Sequence, residues 1–566
     1  MSPSPQELTS RIKKTLEERA FVRSSDAQIV ARGGTPRQRG WLFDIRAILL
    51  RADTLEDICR IFWNEHDEKN AAQIGGIETA AIPLITALVY SGHTEFKKSV
   101  SGFFIRKSRK KDGLMKMIEG EFKKNVPVIL VDDLINSGKS LMRQVKVIEE
   151  MGGTVQKIWT LIRFRNTEFY RYFNDKGIPI ESLFTLSDFS DSLGLKDLVK
   201  RDVAPLPEPH TVLWKFASEN PSYHYVVAKS DPAIDAKRLY VGSDDGTMWA
   251  LNQSDGTVVW SFKIGHHQKG KGIFSSPLLF DGAVYFGGYD GNVYALNAET
   301  GIKKWIYFDA DWIGSSPTVA PDLGLIFVGL EFGLFRKRGG IAALDSKTGK
   351  KKWAYTDMPC FTHSSPLYIE RSNQVVIGSN DGCVYLFDAQ QGTLVWKFVD
   401  GTPSLQELNS GFSTRDIKES FAYDEKNDRI IFGNKAGKIY AIDRNTGKEG
   451  ASFSADFGFY STPVIHKDSV IVTSLDKYTY CLDIDSLTER WRWYAGARIF
   501  ATPVIIENNI YIGANTGRLT ELDPDTGKEK GFFQFSERIT NKVAYNPDSK
   551  LFFVPTFANE IYCVRR

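Results

Sequence analysis

Cysteine is scarce and scattered in this 566-residue chain: Cys59, Cys360, Cys383, Cys481 and Cys563 stand far apart, with no CxxC spacing. That pattern argues against a disulfide framework and against a thiolate zinc site. Long apolar runs are missing as well. The longest, AAIPLITALVY (Ala80–Tyr90), is too short to cross a bilayer. The opening MSPSPQELTSRIKKTLEERA is polar and lacks the apolar core of a signal peptide, so a cytoplasmic protein without a membrane partner is expected. Nor is there a large excess of one charge. The net charge of +3 gives no global argument for nucleic acid. Residues 1–202 do hold 33 basic against 27 acidic side chains, a modest excess that suits an anionic ligand.

One further absence decides how a central motif is read. VPVILVDDLINSGKSLMRQV (Val126–Val145) carries GKS after an apolar run, as an ATP-binding P-loop does. A P-loop needs a glycine five residues before the GK glycine, so that backbone can wrap phosphates. Asp133 occupies that place and would repel them. What remains is a buried strand ending in two acids, then a small-residue loop that opens a helix. Carboxylates at a strand end can accept hydrogen bonds from sugar hydroxyls and hold a hydrated Mg²⁺ nearby. Loop amides, hydroxyls and a helix N-terminus can cup a phosphate. The bland alternative is an acidic turn that caps a helix.

The chain changes grammar near residue 202. Before it, LEDICRIFW has helical spacing, VPVILVDD reads as a buried strand, and LMRQVKVIEEMGG reads as a helix closed by glycine. Strands separated by helices imply a parallel α/β sheet over 1–202. VAPLPEPH (203–210) suits a short, stiff linker. Residues 211–566 are repetitive: RLYVGSDDGTMWALNQSDGTVVWSF is followed by AVYFGGYDGNVYALNAETGIKKWIYF and by further copies down to a truncated KLFFVPTFANEIYCVRR. Each copy holds two alternating strands, a turn rich in Asp, Asn and Gly, and a third strand that usually bears tryptophan. SSP, STP or ATP often precedes a fourth. Four strands per repeat predict propeller blades. The last copy lacks its outer strand, and TVLWKF after the linker matches that strand, so eight blades are expected, closed by 212–216.

The first half resembles the orotate phosphoribosyltransferases of the type I phosphoribosyltransferase family. The resemblance rests on the two acids with their phosphate loop, on FFIRKSRKKDGLMKMIEGEF (Phe103–Phe122) as a catalytic loop, on GGIETAAIP (Gly75–Pro83) as a pyrophosphate loop, and on WLFDIRAILLRADTLEDI (Trp41–Ile58). It implies displacement of pyrophosphate from phosphoribosyl pyrophosphate (PRPP) by a ring nitrogen of a nucleobase-like acceptor. Implied catalytic residues are Arg106, Lys107, Lys110 and Asp133. PRPP would be held by Asp132, Asp133, Asn136, Ser137, Gly138, Lys139 and Ser140, with Gly75, Gly76 and Thr79, and Mg²⁺ by Asp132 and Asp133 through water. Arg163 or Arg165 would approach the base. In the family the catalytic loop reaches into a neighbouring subunit's site, which implies a homodimer. Departures from the pattern are Asp112 before the loop glycine, Asn136 for a threonine, Ala80 for a lysine, and LIRFRN for a strand ending in Asp-Arg. They keep open a second reading, a catalytically silent sensor or scaffold that binds PRPP or a nucleotide in a regulatory or defence complex. The basic loop has no interleaved aromatics, which argues against nucleic acid.

The repeats from about residue 235 onward resemble the pyrroloquinoline-quinone (PQQ)-like propellers, whose blades carry this AxDxxTGxxxW pattern. Some members bind the quinone, often beneath adjacent cysteines. No such pair exists here, so PQQ is not expected; fold alone does not carry chemistry. Trp260, Trp305, Trp353 and Trp396 recur at one repeat position and are read as packing between blades. His266-His267 is read as loop rather than metal site. Three insertions break the repeat, at 265–272, 330–340 and 401–416. In an inner-to-outer meander they fall on one face, expected to bind a protein or ligand and to lie opposite the face where the linker enters.

Overall fold

In the computed structural model, residues 3–23, 41–66, 73–106, 117–190, 210–218, 230–265, 272–334, 337–401 and 404–566 are described. The chain forms two units, an α/β unit and a propeller. Helix α1 (Pro5–Thr15) starts at a capping box in which Ser4 and Glu7 satisfy each other's backbone N–H, with proline at the first turn. Strands β1 (Phe21–Arg23) and β2 (Trp41–Phe43) pair antiparallel, followed by α2 (Arg46–Leu49) and α3 (Ala52–Glu65). The helical spacing of α3 buries Ile58, Ile61 and Phe62 on its inner side. Phe62 meets Trp159 edge-on at 5.2 Å in the core.

Six strands make the sheet: β3 (Gln73–Ile77), β4 (Ser101–Ile105), β5 (Ile118–Gly120), β6 (Val128–Ile135), β7 (Val155–Arg163) and β8 (Ile180–Thr185). Their order is β5-β4-β3-β6-β7-β8, parallel except for the β4–β5 hairpin. Helix α4 (Ala81–Thr94) follows β3, and α5 (Lys139–Glu150) follows β6. From β3 the chain builds toward one edge; from β6 it builds toward the other. The switch point therefore lies between β3 and β6, where open α/β sheets place their ligands, outside the carboxyl ends of the strands.

The second unit is a ring of eight four-stranded antiparallel sheets. The first runs from Ala233–Ile234 to Val258–Lys263. The eighth takes three strands from the end of the sequence and its outer strand, Thr211–Ala217, from the beginning, with Trp214 opposite Cys563. That pairing removes the open edge that the truncated repeat would leave. Repeat tryptophans join neighbours. The indole N–H of Trp260 donates to Ala298 O of the next blade at 3.0 Å, that of Trp305 to Ser346 O at 2.9 Å and that of Trp353 to Ala389 O at 2.9 Å. No helix among the described residues is long and apolar enough to cross a membrane.

Candidate active site

The two loops at the switch point come from sequence-expected segments. The β6 register puts Gln73 beside Val128 and Gly75 beside Leu130, so β3 and β6 run side by side toward the two acids. Gly75 and Gly76 lie buried inside β3, not in the loop. A Cβ on Gly75 would sit 2.5 Å from the Phe103 ring, and one on Gly76 would sit 2.6 Å from Val131 O. A side chain at either position would clash, so glycine lets β3 pack closely against its neighbours. The loop proper begins with Glu78, whose N–H donates to Ile105 O at 3.0 Å, and exposes Thr79. Arg106 therefore leaves β4 next to this loop. Its N–H donates to Met117 O at 2.9 Å, and its guanidinium lies 3.6 Å from Glu119. Lys107, Lys110 and Asp112 fall outside the described residues.

Asp132 and Asp133 stand near the carboxyl end of β6. Asp132 is buried and accepts the Asp133 N–H at 3.0 Å; Asp133 is half-buried and accepts the Leu134 N–H at 2.8 Å. Burial pushes the Asp133 carboxyl above its usual range, against the Leu134 N–H, the Asp132 side chain and the charge of Arg46. Arg46 belongs to the early WLFDIR segment, which links that segment to the acids. Two adjacent carboxylates offer hard oxygen donors that suit a hydrated Mg²⁺ shared with substrate phosphates. A cation there would also lower the cost of keeping Asp133 ionised.

The turn after β6 leads directly into α5. Gly138 sits at φ +70° as the N-cap, and the helix has no side-chain cap. A helix start without a side-chain cap suits an anion, and Ser140 is exposed beside it. An aromatic layer supports the turn from below. The Tyr170 hydroxyl contacts Ile135 O at 3.2 Å and Asn136 O at 3.0 Å, and a Cβ on Gly138 would lie 3.0 Å from the Phe173 ring. Burial raises the Tyr170 phenol, so it stays a neutral donor.

Of the two arginines expected near a base, Arg165 is brought to the phosphate loop: its Nε–H donates to Asn136 Oδ1 at 3.2 Å, and its guanidinium lies 5.2 Å from the Phe169 ring centre. Arg163 stays at the β7 terminus, donating to Ser182 Oγ at 3.4 Å and to Arg165 O at 3.3 Å. The sequence reading missed Tyr170, Phe173 and Arg46 as supports. Arg46 could have been found in the early segment; the two aromatics carry no motif.

In the propeller, two of the three insertions converge. The Lys337 ammonium lies 5.7 Å from the Trp312 ring centre and 5.5 Å from that of Phe361, and Phe361 meets Phe412 at 5.2 Å. Residues 266–271, which hold His266 and His267, fall outside the described residues, as do linker residues 203–209.

The family model described as outer membrane protein assembly factor BamB matches residues 202–359 and 380–544. The N-terminal region is similar to an orotate phosphoribosyltransferase of Methanothermobacter thermautotrophicus, 30% identical over 173 residues that span 30% of this chain and 91% of that protein. An orotate phosphoribosyltransferase of Methanosphaera stadtmanae is 28% identical over 157 residues, spanning 28% of this chain and 84% of its own. Among solved structures, a quinohemoprotein alcohol dehydrogenase from Comamonas testosteroni aligns with TM-score 0.52 at 12% identity, covering 64% of this chain and 78% of that one. At that identity the likeness is one of fold.

Proposed function

The chain belongs to the orotate phosphoribosyltransferase family through its first unit and to the BamB propeller family through its second, and from that premise we propose that it transfers ribose 5-phosphate from PRPP to a nucleobase-like acceptor. The observation that carries this reading is the uncapped α5 N-terminus behind Gly138, set beside Asp132 and Asp133 at the sheet's switch point. Ribose hydroxyls donate to the two carboxylates. The 5-phosphate sits on the amides and hydroxyls of Asn136–Ser140, with Arg165 adding charge through Asn136. As the acceptor nitrogen forms its bond to the ribose carbon, the bond to pyrophosphate breaks and charge grows on the leaving oxygen. Arg106, with Lys107 and Lys110 of the same loop, stabilises that charge near Thr79. Mg²⁺, held through water by Asp132 and Asp133, would supply further neutralisation of the pyrophosphate.

A second reading keeps the same pocket without turnover, as a PRPP or nucleotide sensor or scaffold. The Asn136–Arg165 bond favours it, because the side chain standing where the family has threonine is already engaged. Mg²⁺-dependent pyrophosphate release from PRPP across a panel of bases separates the two. Release with one base, lost in Asp133→Asn, supports the transferase; PRPP binding without release supports the sensor; neither removes both. The transferase unit is read as half of a homodimer. Sedimentation showing a monomer at micromolar concentration would end that part. The propeller is read as a cytoplasmic partner platform without quinone, through the face that carries 265–272, 330–340 and 401–416.

A further inference from the structure

The propeller repeats a short step before each inner strand, and the repeat explains the SSP, STP and ATP motifs. The second residue's hydroxyl receives a backbone N–H from the preceding blade: Asp231 N–H donates to Ser276 Oγ at 3.0 Å, Ser276 N–H to Ser316 Oγ at 2.8 Å and Ser316 N–H to Ser365 Oγ at 3.0 Å. Ser420 and Thr462 continue the pattern to Thr462 Oγ1 at 3.3 Å and Thr502 Oγ1 at 3.1 Å. The first residue's hydroxyl closes onto its own blade, as Gly287 N–H to Ser275 Oγ at 3.1 Å and Gly329 N–H to Ser315 Oγ at 3.1 Å. Five positions break this rule, two of them, Ala501 and Asn541, being uncharged replacements of the first serine in blades seven and eight. Glu419 replaces the first serine in the fifth blade, while Asp231 and Lys542 replace the second hydroxyl in blades one and eight.

The three charged departures, Asp231, Glu419 and Lys542, face one cavity of ≈ 300 Å³ on the propeller axis, with aromatic walls that include Phe274, Phe412, Tyr460 and Phe500. Most of its other charges are already engaged. The Lys418 ammonium lies 3.1 Å from Asp416, 3.2 Å from Asn380 Oδ1 and 3.1 Å from His363 Nδ1. Glu331 accepts the Gly314 N–H at 3.0 Å and lies 3.1 Å from His363 Nε2. One oxygen of Asp231 takes the Lys542 N–H at 2.9 Å and Asn541 Nδ2 at 3.4 Å. The Glu419 carboxyl has no hydrogen-bond or ion-pair partner among the described residues, although its backbone carbonyl accepts Ser364 Oγ at 2.7 Å. The groups left for a ligand are thus the Glu419 carboxyl, the second Asp231 oxygen and, at the exposed rim, Lys542.

We propose that this axial pocket binds a small organic cation with a planar apolar body, of the amidinium or arylammonium class, its charge on Glu419 and Asp231 and its body against the aromatic walls. Flat rings favour a cation that carries hydrocarbon, through stacking and cation–π attraction. A bare Mg²⁺ or Ca²⁺ demands a shell of oxygens instead, and the described lining offers two available carboxylates among aromatic rings. Burial, the Asp231 charge and the opposing Lys418 together set Glu419 at about 8. Lys542 and His363 also face the site, with Asp416 and Glu331 behind them. Burial raises the Asp231 carboxyl as well, so cation binding at neutral pH expels a proton from this pair, and affinity rises as the pH climbs through about 8.

The test uses the full chain and benzamidine, with benzamide and benzoate as neutral and anionic analogues of the same shape, followed by calorimetry. Benzamidine is expected to bind at least tenfold more tightly than either analogue, with a heat that depends on buffer ionisation at pH 7. Glu419→Gln should weaken it tenfold or more and reduce the buffer dependence. Glu419→Ser, which installs the serine that five other blades carry at this place (Ser230, Ser275, Ser315, Ser364 and Ser461), should do the same. Benzoate binding as well as benzamidine, unchanged benzamidine binding in both variants, or no benzamidine binding at millimolar concentration would each overturn the assignment. Pyrophosphate release from PRPP is a separate readout, so failure here leaves the transferase reading standing.

Discussion

Replacing Gly138 by alanine perturbs the phosphate loop in a way that can be dissected against a second glycine. Gly138 has φ +70° and Gly177 has φ +67°, but a Cβ on Gly138 would lie 3.0 Å from Phe173 while one on Gly177 meets nothing within 4 Å. Left-handed backbone costs an L-residue about 1 to 2 kcal/mol. Restricting the unfolded chain returns about 0.4 to 1 kcal/mol at either site. Gly177→Ala should therefore destabilise by about 1 kcal/mol. Gly138→Ala adds the crowding of Phe173, for which overpacking costs about 1 to 3 kcal/mol more. Phe173 shares its layer with Tyr170, whose hydroxyl holds the Ile135 and Asn136 carbonyls, so the strain should fall on the loop. Hydrogen exchange read on peptides spanning residues 128–150 should show lost protection in Gly138→Ala and little change in Gly177→Ala. PRPP affinity should fall about tenfold for each 1.4 kcal/mol that reaches the loop. Equal effects of the two substitutions, or an unchanged loop in Gly138→Ala, would refute the reasoning.

Asp133→Asn should abolish pyrophosphate release yet stabilise the α/β unit at pH 8. Burial raises the folded pKa of Asp133, so its cost is full above that value and disappears once the unfolded chain is also protonated, near about pH 4; a melting-temperature gain that grows on acidification would contradict this. Trp305→Phe keeps the ring but removes the 2.9 Å donor to Ser346 O, which retains the Tyr285 hydroxyl at 3.1 Å, a loss of about 0.5 to 1.5 kcal/mol measurable by urea unfolding, whereas no loss would mean that the tryptophan acts by packing alone. Deleting residues 211–217 exposes the edge of Glu560–Arg565 and should turn a well-dispersed protein into an aggregating one by light scattering; a stable, dispersed product would show that the ring tolerates an open blade.

Much of the architecture was legible in the residues because it is periodic. Short β-branched and aromatic runs such as AVYFG and NVYALN, with an Asp-Gly turn between them, specify adjacent antiparallel strands buried on both faces, and eight repetitions of such a unit bury their faces only by closing a ring. The outer-strand match of TVLWKF identified the closing strand for the same reason. At the candidate site, order along the chain located the DD strand, its loop and Arg106. The two β3 glycines were read as ligand contacts, and the structure adds that Phe103 and Val131 occupy the space a side chain would need. Glycine in a motif reports that something approaches closely, without saying whether it is a ligand or a neighbouring ring.

By itself the sequence determined the two fold classes, the number of blades and the strand that carries the acids, since these depend on local pattern and repetition. Tertiary structure alone decided that Arg165 meets Asn136, 29 residues away in sequence, and that Tyr170 and Phe173 prop the phosphate loop. It alone gathered Asp231, Glu419 and Lys542 around one cavity. Those meetings depend on sheet order and ring closure, which bring side chains from distant segments within a few ångströms, and no spacing along the chain encodes that distance.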